Sequence, residues 1–143
     1  MADSIEEIER RRADRKATRE AARNEQYAKD LLEVEALEVE HGDDRVSVLR
    51  TSSFVAELPT LLVVTTPAPV VTKRYRQMVR RAGQNYTAIG EARDMMAAEC
   101  VGYPNVHTEE GKALYERMKQ AWPGIHDDVA MAATKLAEAE GKD

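Results

Sequence analysis

Hydrophobic positions follow a different rhythm in each part of the chain. From Asp3 to His41 there is neither Pro nor Gly, and Glu, Arg, Lys, Ala and Leu dominate, which predicts one long helix. Asp3 or Ser4 serves as its N-cap, Glu6 and Glu7 fall in the first turn where carboxylates suit the helix dipole, and Gly42 stands where a stop belongs. Ile5 and Ile8 open this helix, only Ala13, Ala17, Ala21 and Ala22 follow in its middle, and Leu31, Leu32, Val34, Leu37 and Val39 crowd its end. Only about three final turns carry enough apolar surface to dock. The chain therefore divides into a charged helical arm, 1–42, and a compact domain, 43–143, separable at Gly42.

The rhythm changes between Arg45 and Thr66, where β-branched residues take over. Val46 and Val48 alternate with Ser47, Phe54 and Val55 follow a Ser pair, and Leu61 to Val64 form a continuous apolar run beyond Pro59. Two or three short antiparallel strands are expected there. So small a sheet must lie on helices or join strands of another copy.

Helical spacing returns after Pro67 and predicts four helices. The first, capped by Thr66 with Pro67 in its opening position, aligns Val70, Val71, Tyr75, Met78, Val79 and Ala82 and ends at Gly83. The second follows Thr87, carries Ile89, Ala92, Met95, Met96 and Val101, and runs to about Gly102. The third starts after Thr108, presents Leu114, Tyr115 and Met118, and stops before Pro123, with Trp122 buried at the turn. The fourth runs from about Ile125 to Ala139 with Val129, Ala132, Ala133 and Leu136 inward. The expected fold is α+β and helix-rich: a long N-terminal helical arm, a small antiparallel β segment and a cluster of about four C-terminal helices.

Composition narrows the function. Among 143 residues the formal charge is −5, which argues against nucleic-acid packaging or charge-driven membrane attachment. One cysteine, Cys100, excludes an internal disulfide and a Cys-rich zinc site and fits a reducing compartment. Neither a signal sequence nor a membrane-spanning run is visible, so a soluble cytoplasmic protein is expected. Charge is nevertheless segregated along the arm. Arg10 to Arg23 is mainly basic, whereas Glu25 to Asp44 is acidic with only Lys29 between. Either the arm is a solvated helix, or two arms pair antiparallel in a homo-oligomer, setting Arg12, Arg15 and Arg19 against Glu33, Glu35 and Glu38.

Catalytic patterns are missing from the sequence. His41, His107 and His126 are scattered, and no phosphate loop, nucleophile elbow or HExxH occurs. His126, Asp127 and Asp128 are consecutive, so on a helix they diverge by about 100° each; the two carboxylates are explained by the helix N-terminus. Cys100 has no neighbouring base and reads as a small buried hydrophobe, and Tyr86 and Tyr103 read as packing residues. No metal, cofactor or catalytic residue is assigned. The remaining concentrated feature is KRYRQMVRR, Lys73 to Arg81, whose cations surround one side of a helix and whose Tyr75 and Met78 lie on the other. With a net negative charge, no nucleic-acid motif and few aromatics for base stacking, that stripe reads as a solvated face or an inter-subunit contact with the acidic half of the arm rather than as a nucleic-acid site.

From Leu61 to Gly141 the order of features resembles the tail assembly chaperones of long-tailed phages. The similarity rests on a short β segment, the helix VVTKRYRQMVRR, a helix ending in CVGYPN at Cys100 to Asn105, a Glu-rich helix, and AWPGIHDDVAMAATKLAEAEG at Ala121 to Gly141. The resemblance implies a non-enzymatic protein that binds a tape-measure protein, covers its apolar helices until tail-tube subunits assemble around it, and then leaves. Tyr75, Met78, Arg76, Arg80, Met95, Met96 and Met118 are the residues expected to meet such a helical partner, methionines being adaptable apolar contacts. Two other readings stand beside it. One is a structural virion component (connector, decoration or scaffold protein) whose arm clasps a neighbour; the other is a small nucleic-acid-binding regulator using the helix at 73–81.

Overall fold

The computed structural model describes residues 3–141. Helix α1 spans Ile5–His41 and leads through a short turn at Asp43–Arg45 into strands β1 (Val46–Arg50) and β2 (Leu61–Thr65). Helices α2 (Pro69–Ala82) and α3 (Tyr86–Cys100), strand β3 (Val101–Tyr103) and helices α4 (Glu109–Ala121) and α5 (Ile125–Gly141) follow. The sheet is antiparallel in the order β1-β2-β3. The fold is thus α+β and helix-rich, with the small sheet and long N-terminal helix that the pattern predicts.

Both ends of α1 are chemically marked. Ser4 Oγ accepts the Glu7 N–H at 3.2 Å, and Gly42, at φ +99°, donates its N–H to the Glu38 carbonyl at 2.8 Å. That positive φ is the conformation glycine tolerates best.

β2 sits centrally and is covered on both faces, which is why its sequence is a continuous apolar run. On one face Leu61 and Val63 pack with Val34 of α1 and Val46 of β1. On the other, Leu62 and Val64 join the larger core, where Met96 and Cys100 of α3, Met118 of α4 and Val129 of α5 are buried. Helix α2 packs mainly on α3. Trp122 is buried as expected, its indole N–H reaching Ser53 Oγ at 3.3 Å. The turn before α4 is so close that a Cβ on Gly111 would lie 1.9 Å from the Asn105 carbonyl oxygen.

Three local expectations are corrected. Phe54 and Val55 form no strand: the ladder pairs Arg50 with Leu61, so residues 51–60 are the connection between β1 and β2. The third strand instead comes from Val101–Tyr103, expected as a helix end; Val101 turns to extended backbone (φ −78°, ψ 110°) and pairs with Val64. Helix α2 starts at Pro69 with Ala68 as N-cap, because Thr66 is occupied elsewhere, its Oγ1 and N–H both donating to the Arg45 carbonyl at 2.7 and 3.1 Å. Within the first turn of α2, Val70 is exposed and Thr72 takes the buried position. Among the described residues no helix is long and apolar enough to cross a membrane.

Candidate functional site

The arm meets the body at Asp30, which is fully buried. Its Oδ2 accepts the Thr60 N–H at 2.7 Å and the Thr60 hydroxyl at 2.5 Å. Its Oδ1 accepts Gln26 Nε2 at 2.9 Å and the Tyr103 hydroxyl. A carboxylate can be taken out of water when every lone pair is met in this way, and the donors here belong to α1 itself, the residue preceding β2, and β3. The cluster fixes the position of α1 over the sheet. Burial, and then the hydrogen bond to Asp30, push the Tyr103 phenol well above its ordinary pKa. Neither residue stood out in the sequence, because Thr60 and Tyr103 lie 30 and 73 positions from Asp30.

Beyond this anchor the helix leaves the body: every residue from Ile5 to Glu25 is exposed. With successive side chains turned by about 100°, the buried Asp30 and Val34 define the side of α1 that faces the sheet. Extended toward the N-terminus, that same side carries Arg12, Arg15, Lys16, Arg19 and Arg23. Leu32, Glu35 and Val39 lie on the opposite, outward side, with Glu38 and Glu40 on its flanks. Glu33 turns toward the sheet, where its charge contributes to raising Tyr103. The residues expected to mediate self-association are therefore spread around the helix. Where the arm leaves the sheet, Arg23, Asn24 and Tyr27 face Arg50, Ser52 and Ser53 across an open cavity of about 390 Å³.

A second surface lies between α2 and α5. Lys73, Arg76 and Arg80 follow one another along one wall, Ala137 and Glu140 stand opposite, and Pro67 and Pro69 close one end of a groove of about 590 Å³. Among the described residues none of the three cations has a carboxylate within ion-pair distance. Arg76 and Arg80 are exposed as expected, whereas Tyr75 and Met78 are half-buried, Tyr75 against the core. Met95 is also half-buried.

Met96 and Met118 are not available to a partner. Both are 0% exposed, because they fall on the core-facing turns of their helices, with Ala92 and Cys100 beside Met96 and Tyr115 beside Met118. Among the described residues Met131 is the exposed methionine, at 59%, beside a shallow depression of about 350 Å³ lined by Leu49 and Leu136. Its neighbours Ala130 and Ala132 are the buried ones.

Cys100 is buried, and burial followed by the nearby Glu99 charge pushes its thiol up to about 12, so it is a poor nucleophile at neutral pH. Asp127 Oδ1 lies 2.8 Å from Arg93 Nη1, forming an ion pair, and 3.2 Å from His126 Nε2, but accepts no hydrogen bond from either. Among the described residues no group of three His, Cys, Asp or Glu side chains gathers as a metal site would require. No family model matches the chain, and no curated protein or solved structure matches it.

Proposed function

We propose that this chain is a non-enzymatic assembly chaperone of the phage-tail type, holding helical segments of a tape-measure-like protein until they are packed into a tail. The observation that carries this reading is the groove between α2 and α5, with Lys73, Arg76 and Arg80 along one wall and Pro67, Pro69 and Ala137 as apolar lining. An amphipathic helix offers the matching pattern, an apolar stripe bordered by acidic residues. The groove is made by two of the segments on which the family resemblance rests, VVTKRYRQMVRR and the final helix. Because Met96 and Met118 are buried, contact with the partner falls to Arg76 and Arg80, the exposed parts of Tyr75, Met78 and Met95, and the groove lining.

The test is co-expression of the tagged chain with the neighbouring structural genes, followed by identification of what co-purifies and of what remains in finished particles. The expected result is a long helical protein recovered with wild type, reduced at least tenfold in Arg76→Glu/Arg80→Glu, with the chain missing from mature particles. Retention in mature particles would instead support the structural-component reading, which the free arm favours. Recovery of nucleic acid alone, lost on the same charge reversal, would support a regulator.

A further inference from the structure

Helix α1 presents opposite charges on opposite sides of its two halves. Its distal half carries Arg12, Arg15, Lys16, Arg19 and Arg23 on the side that faces the sheet further along, and at the tip of that side Ile5 and Ile8 are 75% and 42% exposed. Its proximal half carries Glu35 on the outward side, Glu38 and Glu40 at the flanks, and Leu32 and Val39 at 71% and 80% exposure. Each patch thus combines uncovered apolar side chains with a majority of one sign of charge, Glu9 being the carboxylate among the distal cations, and the two patches are complementary.

The cations also repel one another within the arm. Arg11 and Arg15, Arg12 and Lys16, Arg15 and Arg19, and Arg19 and Arg23 are like-charged pairs four residues apart, a spacing that destabilises an isolated helix. Among the described residues the only ion pair involving these cations joins Arg11 to Asp3 at 2.7 Å. An acidic surface laid against the distal half removes this repulsion, and the chain carries Glu35, flanked by Glu38 and Glu40, on its own proximal half.

We infer that α1 is a head-to-tail coupling: the cationic inner side of one arm lies on the acidic outer side of the next copy's α1. The handedness of the patches excludes a closed pair. Two unbroken helices related by a two-fold axis touch along one side of each, whereas these patches point in opposite directions from the same helix, so a copy that has docked its arm still offers its outer side to another. The result is a head-to-tail series that grows past two copies with concentration, ending only where its rotation closes a ring. This inference does not depend on the chaperone reading, and it replaces the antiparallel pairing suggested by charge order alone.

The experiment measures molar mass by light scattering on the full chain from low to high concentration, at about 50 mM and 500 mM salt. Two neutralised variants, Arg12→Gln/Arg15→Gln/Arg19→Gln and Glu35→Gln/Glu38→Gln/Glu40→Gln, are compared after thermal unfolding has shown that both fold. Wild type is expected to grow past two chains with concentration at low salt and to revert to one chain at high salt. Each variant alone is expected to remain a single chain, and a one-to-one mixture is expected to stop at two, because only one intact cationic patch and one intact acidic patch remain. A wild-type mass that levels off at a dimer, variants that assemble as wild type does, or a wild type that stays a single chain at low salt would each overturn the inference.

Discussion

Asp30 is a charged residue at 0% exposure whose stability rests entirely on the hydrogen bonds it receives. Replacing it by Ala leaves the buried Thr60 N–H and hydroxyl, and the half-buried Tyr103 hydroxyl, without their acceptor. The expected loss is about 3 kcal/mol, against roughly 1–2 kcal/mol for Tyr103→Phe, which removes a single donor. Asp30→Asn is expected to fall between them, since its amide keeps the volume but turns one acceptor into a donor. Urea unfolding of the three variants and of the Asp30→Ala/Tyr103→Phe double variant checks this: strict additivity of the two single changes would show that the groups do not act together. This cluster was illegible in the sequence. A carboxylate in an acidic stretch reads as solvated, and only the fold brings Thr60 and Tyr103 to it.

Elements differ in how far the sequence announces them, and the difference follows the range of the interactions that create them. The five helices among the described residues carry their own signals, such as Thr108 accepting the Gly111 N–H at 3.0 Å and Asn85 accepting that of Ala88 at 3.1 Å. β3 carries none, since Val101–Tyr103 becomes a strand only because the second edge of β2 is open to it, and Phe54–Val55 fails to become one because the β1–β2 register leaves it in the connection. The groove was legible in part: the cations of α2 showed in the sequence, but the facing wall from α5 is sixty residues away. The division at Gly42 also changes. Asp30, Val34 and Leu37 are built into the sheet face, so the separable arm ends near Glu25. Removing residues 1–24 is expected to leave the midpoint of thermal unfolding within about 2 °C of wild type, since residues 3–24 are exposed throughout. Removing residues 1–42 uncovers Leu61 and Val63 and the Asp30 donors together and is expected to abolish the cooperative transition. Calorimetry of the two truncations decides the boundary, and a cooperative transition of native size in the shorter chain would return it to Gly42.

At the scale of the whole molecule, burial of ionisable groups in and around the apolar layers sets how stability responds to alkali. The Cys100 thiol is raised from 9.0 to about 12 by burial first and the Glu99 charge second. Tyr103 and Tyr115 are raised from 10.0, again by burial first, with Asp30 acting on the former and Asp94 on the latter. Burial acts to lower Lys119, but the carboxylates of Glu116 and Asp94 prevail and its net shift is also upward. The sign is the same for all four: each holds its proton in the folded chain at a pH where the unfolded chain has begun to release it. Their contribution is complete below the ordinary values and is lost as pH rises through the folded ones. Cys100 acts first, from about pH 9, with a slope of about 1.4 kcal/mol per pH unit while the unfolded thiol is ionised and the folded one is not; the tyrosines join above about pH 10. Urea midpoints at pH 8, 9.5 and 10.5 are therefore expected to fall progressively for wild type. Cys100→Ala opens a small cavity and starts from a lower midpoint, but its midpoint is expected to fall less between pH 8 and 9.5, since of the four groups the thiol titrates furthest in that interval. Parallel curves for the two proteins would mean that the thiol does not retain its proton in the fold, and rapid reaction of native Cys100 with a thiol reagent at pH 8 would identify exposure as the reason.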